Sequence, residues 1–240
     1  MIHRRDYMAN AEEAAAHLTA AGLGPADVVL QCGSGMARLG ELLLPDGKRV
    51  EMASVPHLIA PQVAGHGHEV VFGTVGGARL LILTGRPHIY EGHSPEVAGF
   101  PAAVAKALGA TLFIAMNAAG GLNQHLRGGE LMLHNDFINF QGDNALAHIA
   151  TDDAAERFID PKPAYNLTAS GVLARHLQSA GCTVHNGIYV GVRGPIFETR
   201  AEIYMLRSFG ADAVAMSIVP EVTVCNFLAL PCIGLSVITN

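Results

Sequence analysis

The chain has 240 residues, half of them hydrophobic and 15% charged, which suits one α/β core with apolar surplus left for a subunit interface. With 15 Lys and Arg against 21 Asp and Glu, its net charge of −6 excludes a general nucleic-acid binder, which needs a basic face. A small anion is not excluded, because backbone N–H groups and one or two Arg side chains can hold it locally.

In chain order, Asn10 is placed to cap an Ala-rich helix running to about Ala21, ended by Gly22 and Gly24. Val28-Val29-Leu30 reads as a short buried strand leading into Cys32-Gly33-Ser34-Gly35 and a helix near Met36 to Leu44. Val70 to Val75 and Ala78 to Leu83 flank Gly76-Gly77 as a hairpin. Pro95 to Leu108 is predicted helical, and Thr111 to Met116 is a buried strand ending in Asn117-Ala118-Ala119-Gly120-Gly121. Gln141 to Lys162 is polar, lacks periodicity and reads as a long loop. Helices follow over Asn166–Ala180, Glu198–Phe209 and Glu221–Leu228, with strands over Thr183–Val192, Ala213–Met216 and Cys232–Thr239. The pattern predicts a single α/β domain around a mixed, largely buried β-sheet, with its site on the loops after strand ends.

Four scattered cysteines, Cys32, Cys182, Cys225 and Cys232, form no Cys-x-x-Cys pair and read as reduced core thiols of a cytoplasmic protein. Met1-Ile2-His3-Arg4-Arg5 is followed by no apolar stretch, so no signal peptide is expected. Val222 to Thr239 is apolar but interrupted by Asn226 and Pro231, and reads as a buried helix and strand with no membrane span.

Several segments carry candidate chemistry. Gly33-Ser34-Gly35 can offer N–H groups and a hydroxyl to one small anion, or be only a Gly-rich turn; it is neither a dinucleotide fingerprint, since position 38 is Arg38, nor a P-loop, since Glu41 follows Gly40. His66-Gly67-His68 has no partners at metal-ligand spacing, so no metal is expected; a loop histidine reaching an anion, or two solvated histidines, are the readings left. Gly85 to Gly92 sets Arg86, His88, Tyr90 and Glu91 just after a strand. A guanidinium there can fork onto phosphate, or Arg86 and Glu91 can simply pair. Asn117 to Gly121 has almost no side chains, which lets a ligand approach the backbone or lets strands pack tightly. Phe197-Glu198 offers an aromatic face and a carboxylate at a helix start, either as a platform for a base or as helix-end electrostatics.

Together these segments resemble the trimeric, 6-oxopurine-preferring purine nucleoside phosphorylases. The match runs in order through Gly33-Ser34-Gly35, Gly65-His66, Gly85 to Gly92, Asn117 to Asn123, Gly194 to Thr199, Gly210 to Val222 and Ile238-Thr239-Asn240, covering nearly everything from Val28 on. The resemblance implies a partly barrel-like central sheet flanked by helices, and phosphorolysis of inosine, guanosine and their deoxy forms. It implies a phosphate site of Ser34, His66, Arg86, His88, Ala118 and Ser217. Ribose contacts would come from Tyr90, Tyr189 and Met216, and purine contacts from Phe197, Glu198, Val214 and Asn240. Phe158 resembles an aromatic lent to a neighbouring site in a homotrimer. Asn240, Glu198 and His88 would carry the chemistry, with inorganic phosphate as co-substrate and no cofactor, metal, nucleic acid or membrane partner. Arg193 departs from the usual small residue, which keeps a xanthosine-preferring phosphorylase as an alternative; a non-catalytic purine or phosphate sensor on the same fold is another. The family normally continues past the position of Asn240, so a further C-terminal segment is expected.

Overall fold

A computed structural model of the chain describes residues 1–62 and 65–240. Its elements are β1 (Ile2–His3), α1 (Arg4–Ala20), β2 (Val28–Gln31), α2 (Leu39–Leu43), β3 (Lys48–Glu51), β4 (Glu69–Val75), β5 (Ala78–Leu83) and α3 (Pro95–Ala107). They continue with β6 (Leu112–Gly121), β7 (Leu131–Phe140), β8 (Ile149–Ala150), α4 (Leu167–Ser179), β9 (Val184–Val192), α5 (Arg200–Ser208), β10 (Ala213–Ala215), α6 (Val219–Phe227) and β11 (Cys232–Ile238).

Among the described residues nine strands form one mixed sheet in the order β10-β9-β7-β11-β6-β2-β5-β4-β3. β10 also pairs with β6, so β6, β11, β7, β9 and β10 close on themselves as a small barrel, and β2 to β5 continue from it as an open sheet. The apolar run of β11 follows from its place between β6 and β7, where Cys232 to Ser236 are buried. Tyr7, Ala11, Ala14, Ala15 and Leu18 recur at helical spacing on α1 and turn inward, toward α3. α3 packs in turn on α6, and the three helices share one core with the sheet.

The elements differ from the sequence reading where side chains close to the backbone decide. α1 begins at Arg4, six residues before Asn10, because the His3 ring accepts the Arg5 N–H at 3.2 Å and caps the helix. α2 starts only at Leu39, after a turn in which the Met36 N–H donates to the Gly33 carbonyl, so Gly33-Ser34-Gly35 does not open a helix. β6 runs on through Gly121 because β11 stays paired with it up to Ala119 and β10 takes over beyond. β3 and β7 were not expected. In β7 the polar run His134-Asn135-Asp136, where the ladder to β9 is irregular, hides the apolar alternation. The segment 141–162 is mainly loop, as expected, with two short 3₁₀ turns and β8, which pairs parallel with β1. Thr199 caps α5 in a capping box with Glu202, so Glu198 precedes the helix. No helix among the described residues is long and apolar enough to cross a membrane.

Candidate active site

One edge of β6 changes partner along its length. Leu112 to Ala115 pair with β2, whereas Gly120 and Gly121 pair with β10. Between these two pairings the strands part, and a cavity of about 880 Å³ opens, floored by Asn117, Ala118, Ala119 and Gly120. The loops after β2, β5, β9, β10 and β11 all reach its wall. Gly33 is required by this closeness: a Cβ there would stand 2.8 Å from Asn117 Cα, so only glycine lets the loop after β2 lie on β6.

One end of the cavity carries hydroxyls and imidazoles. Ser34, His88, Ala118 and Ser217 line it, and His66 stands behind Ser34 with Nε2 2.7 Å from its Oγ. The His66 and His88 rings meet edge to face, 4.9 Å between centroids. Glu91 Oε1 accepts from the His88 N–H at 2.9 Å and faces His88 Nδ1 at 2.8 Å, while Glu91 Oε2 accepts from the Gln62 N–H at 2.7 Å. Nδ1 therefore donates to a carboxylate, and Nε2 of a neutral His88 is left as an acceptor. Burial pushes His66 down to about 4, helped by the neighbouring His88 and Arg86. His88 is also pushed down to about 4 by burial, against the upward pull of its Glu91 hydrogen bond. Tyr90 stacks under the His88 ring at 4.6 Å.

Phe197, Glu198, Val214, Met216 and Asn240 line the other end, with Phe197 85% exposed. Asn240 reaches it from the end of β11; Gly121 N–H donates to its carbonyl at 3.0 Å, and the Thr239 hydroxyl lies 3.0 Å from its Oδ1. An aromatic face beside a carboxylate and an amide suits a flat heterocycle bearing both N–H groups and ring nitrogens.

Ten expected residues thus come together on one wall, and four take other positions. Arg86 is fully buried behind the cavity: its guanidinium donates to the carbonyls of Gln31, Cys32 and Met116 and faces Glu221 at 3.2 Å. Desolvation explains this, because a guanidinium out of water must satisfy several donors and its charge together. The expected alternative, a pair with Glu91, is not formed, since Glu91 serves His88. Tyr189 is likewise buried off the cavity, where its hydroxyl donates to the Ser217 carbonyl at 2.7 Å. His66 stands off the cavity wall, behind Ser34 and edge to face with His88. Phe158, 85% exposed, lines a separate depression with Phe137, Arg157 and Thr223. Arg193 is exposed and outside the cavity wall.

Sequence reading missed what lies behind the wall. Asn117 Nδ2 donates to Ser217 Oγ and to the Tyr189 oxygen, both at 3.2 Å, and Ser236, His134 and Tyr165 extend this polar chain into the core. A lone histidine in Leu131-Met132-Leu133-His134, with Gly234 and Ser236 as the small residues of a mostly apolar β11, is the signal that could have found it.

A partly closed mixed sheet with an anion end and a flat-ring end in one cavity defines an enzyme of the Phosphorylase superfamily, whose sequence profile the chain matches over residues 27–240. Within it, the chain belongs to the purine nucleoside phosphorylase family. It is 38% identical to purine nucleoside phosphorylase 1 of Bacillus subtilis over 87% of this chain and 76% of the relative. To the Bos taurus purine nucleoside phosphorylase it is 36% identical, over 89% and 75%. Among solved structures, isoform 2 of the Schistosoma mansoni enzyme, in complex with cytosine and ribose-1-phosphate, superposes with a TM-score of 0.85 at 32% identity, over 95% of this chain and 82% of that one.

Proposed function

We propose that the chain splits purine nucleosides with inorganic phosphate, releasing free purine and ribose 1-phosphate or its deoxy form. The observation that carries this is the two-ended cavity: hydroxyl and imidazole groups at one end, an aromatic–carboxylate–amide set at the other, and bare backbone between. Relatives of this family are named for the same activity, and one was solved with ribose-1-phosphate.

In the reaction, the bond from the sugar's anomeric carbon to the purine nitrogen breaks and its electron pair goes to the base. A phosphate oxygen then forms the new bond to that carbon. The sugar passes through oxocarbenium character, so a phosphate anion held beneath it stabilises the charge before capturing it. Ser34, Ser217 and the Ala118 backbone bind that anion, and the His88 Nε2 accepts from a protonated phosphate oxygen. Glu198 accepts from the purine N1–H, Phe197 supports the ring, and Asn240 donates to N7 as the base gains electrons. Tyr90 and Met216 contact the ribose, and Val214 packs on the base. Holding both reactants in register contributes on the order of 7–11 kcal/mol at best. The proposed reaction involves no cofactor.

The finer proposals are a homotrimer in which Phe158 reaches a neighbour's site, and residence in the cytoplasm, which suits four free cysteines, three of them buried. Phosphorus NMR of protein with inosine and phosphate tests the activity: a sugar phosphate signal matching ribose 1-phosphate is expected, and free ribose alone would contradict it.

A further inference from the structure

Ser217 follows β10, and its position is held from three sides. Its carbonyl accepts from the Val219 N–H at 2.9 Å and from the Tyr189 hydroxyl at 2.7 Å. Its N–H donates to the Tyr189 oxygen at 3.3 Å, and its Oγ lies 3.2 Å from Asn117 Nδ2. The bond to Val219 closes a tight turn with Ile218 at φ 71°, a conformation a β-branched residue adopts only under constraint from its surroundings.

The protons in this cluster can be assigned from one end. A carbonyl only accepts, so the Tyr189 O–H donates to the Ser217 carbonyl and the Tyr189 oxygen is an acceptor toward Asn117. The Asn117 amide nitrogen therefore faces Tyr189 and Ser217, and its Oδ1 faces Ser236, 2.7 Å away. Ser236 must donate there, so its oxygen accepts from His134 Nε2 at 2.8 Å. His134 Nδ1, left without a proton, accepts from the Tyr165 hydroxyl at 3.2 Å. Full burial pushes His134 down to about 3, so the ring is neutral, as this tautomer requires. At the far end, Ser217 Oγ already accepts from Asn117. Its own proton has no other partner among the described residues, and Ser217 lines the cavity.

His134 reaches Ser217 by two routes. One is the hydrogen-bond chain through Ser236 and Asn117; the other is its ring, stacked on Tyr189 at 4.6 Å and 8°. The fold makes room for it: a Cβ on Gly234 would collide with the His134 ring. We propose that His134 is a positioning residue which, through Ser236, Asn117 and Tyr189, fixes Ser217 as a hydrogen-bond donor to the phosphate co-substrate. This rests on the reading of Ser217 as a phosphate ligand.

The test is steady-state phosphorolysis of inosine, with phosphate and inosine varied separately and thermal melting measured beside it. His134→Leu removes the donor, and the phosphate KM is expected to rise about tenfold, the scale of one hydrogen bond lost from a buried chain. The inosine KM is expected to stay within about twofold, because the base end of the cavity is not on this chain. Ser236→Ala cuts the first route while keeping the stacked ring; it is expected to act in the same direction and carries the test if His134→Leu does not fold. His134→Gln, with an amide N–H toward Ser236, is expected to recover most of the loss, which a merely space-filling role would not produce. An unchanged phosphate KM in folded Ser236→Ala, or equal losses on both substrates that track melting temperature, would overturn the proposal. If the unaltered protein splits inosine equally well without phosphate, the functional reading fails instead.

Discussion

Arg86 Nη1 and Glu221 Oε1 stand 3.2 Å apart with both side chains closed off from solvent, at 0% and 1% exposure. Arg86 also ties Gln31 and Cys32, at the end of β2, to Met116 of β6, which is where β6 parts from β2 and the cavity begins. Its guanidinium thus joins the two strands at the point where they part. Burial raises the Glu221 carboxyl while Arg86 pulls it back. Glu221→Gln leaves a buried guanidinium without its counter-charge, and the expected cost is about 3–5 kcal/mol of stability. Urea unfolding measures it; a change under about 1 kcal/mol would mean that the backbone carbonyls alone satisfy Arg86.

Three buried histidines predict acid lability. His66 and His88 are held down to about 4 and His134 to about 3, against an ordinary value of 6.5. Between those values the unfolded chain binds more protons than the folded one, so stability rises with pH there. Their contribution is complete above about pH 6.5 and is lost progressively as pH falls toward about 4. Denaturant midpoints should therefore fall steadily over that window, and a flat profile would show that the rings are charged in the folded state.

The proposed role of Glu198, which lines the cavity, predicts a choice of base. A carboxylate there would accept from the N1–H of hypoxanthine or guanine, whereas adenine presents a lone pair at N1. A site organised around such a bond discriminates by roughly 10⁴–10⁵ in kcat/KM. Inosine and guanosine are expected far above adenosine, and Glu198→Ala should remove most of the difference. Comparable efficiency on adenosine in the unaltered protein would contradict the assignment.

Phe158 tests assembly. Phe158 is 85% exposed in a loop beside a separate depression, and the proposed trimer would bury it. Light scattering should give three times the chain mass, and Phe158→Ala should raise the nucleoside KM more than the phosphate KM. A fully active monomer would refute both.

How much of this was legible in the sequence follows from which interactions are local. The hairpin at Gly76-Gly77, α3 behind Pro95 and α4 behind the Asn166 cap all depend on neighbouring residues and were read correctly. Ser34, His88, Phe197, Glu198 and Asn240 each stand in a short motif after a strand end, and all line one cavity. Arg86 and Tyr189 sit behind the wall, and their short motifs do not show it. Their partners, Glu221 and Ser217, are set by long-range packing, and nothing in either local segment distinguishes a side chain pointing into the cavity from one bracing it from behind. His134 and β7 stayed hidden because the polar His134-Asn135-Asp136 run masks a strand whose buried face is completed by residues of β11 and by Tyr165.

The most direct test of the whole account is release of hypoxanthine from inosine by phosphate-free protein, before and after phosphate is restored. Without phosphate, negligible release is expected. With phosphate, hypoxanthine and ribose 1-phosphate should appear in equal amounts. Equal release in both conditions, with free ribose as the sugar product, would make the protein a hydrolase and contradict it.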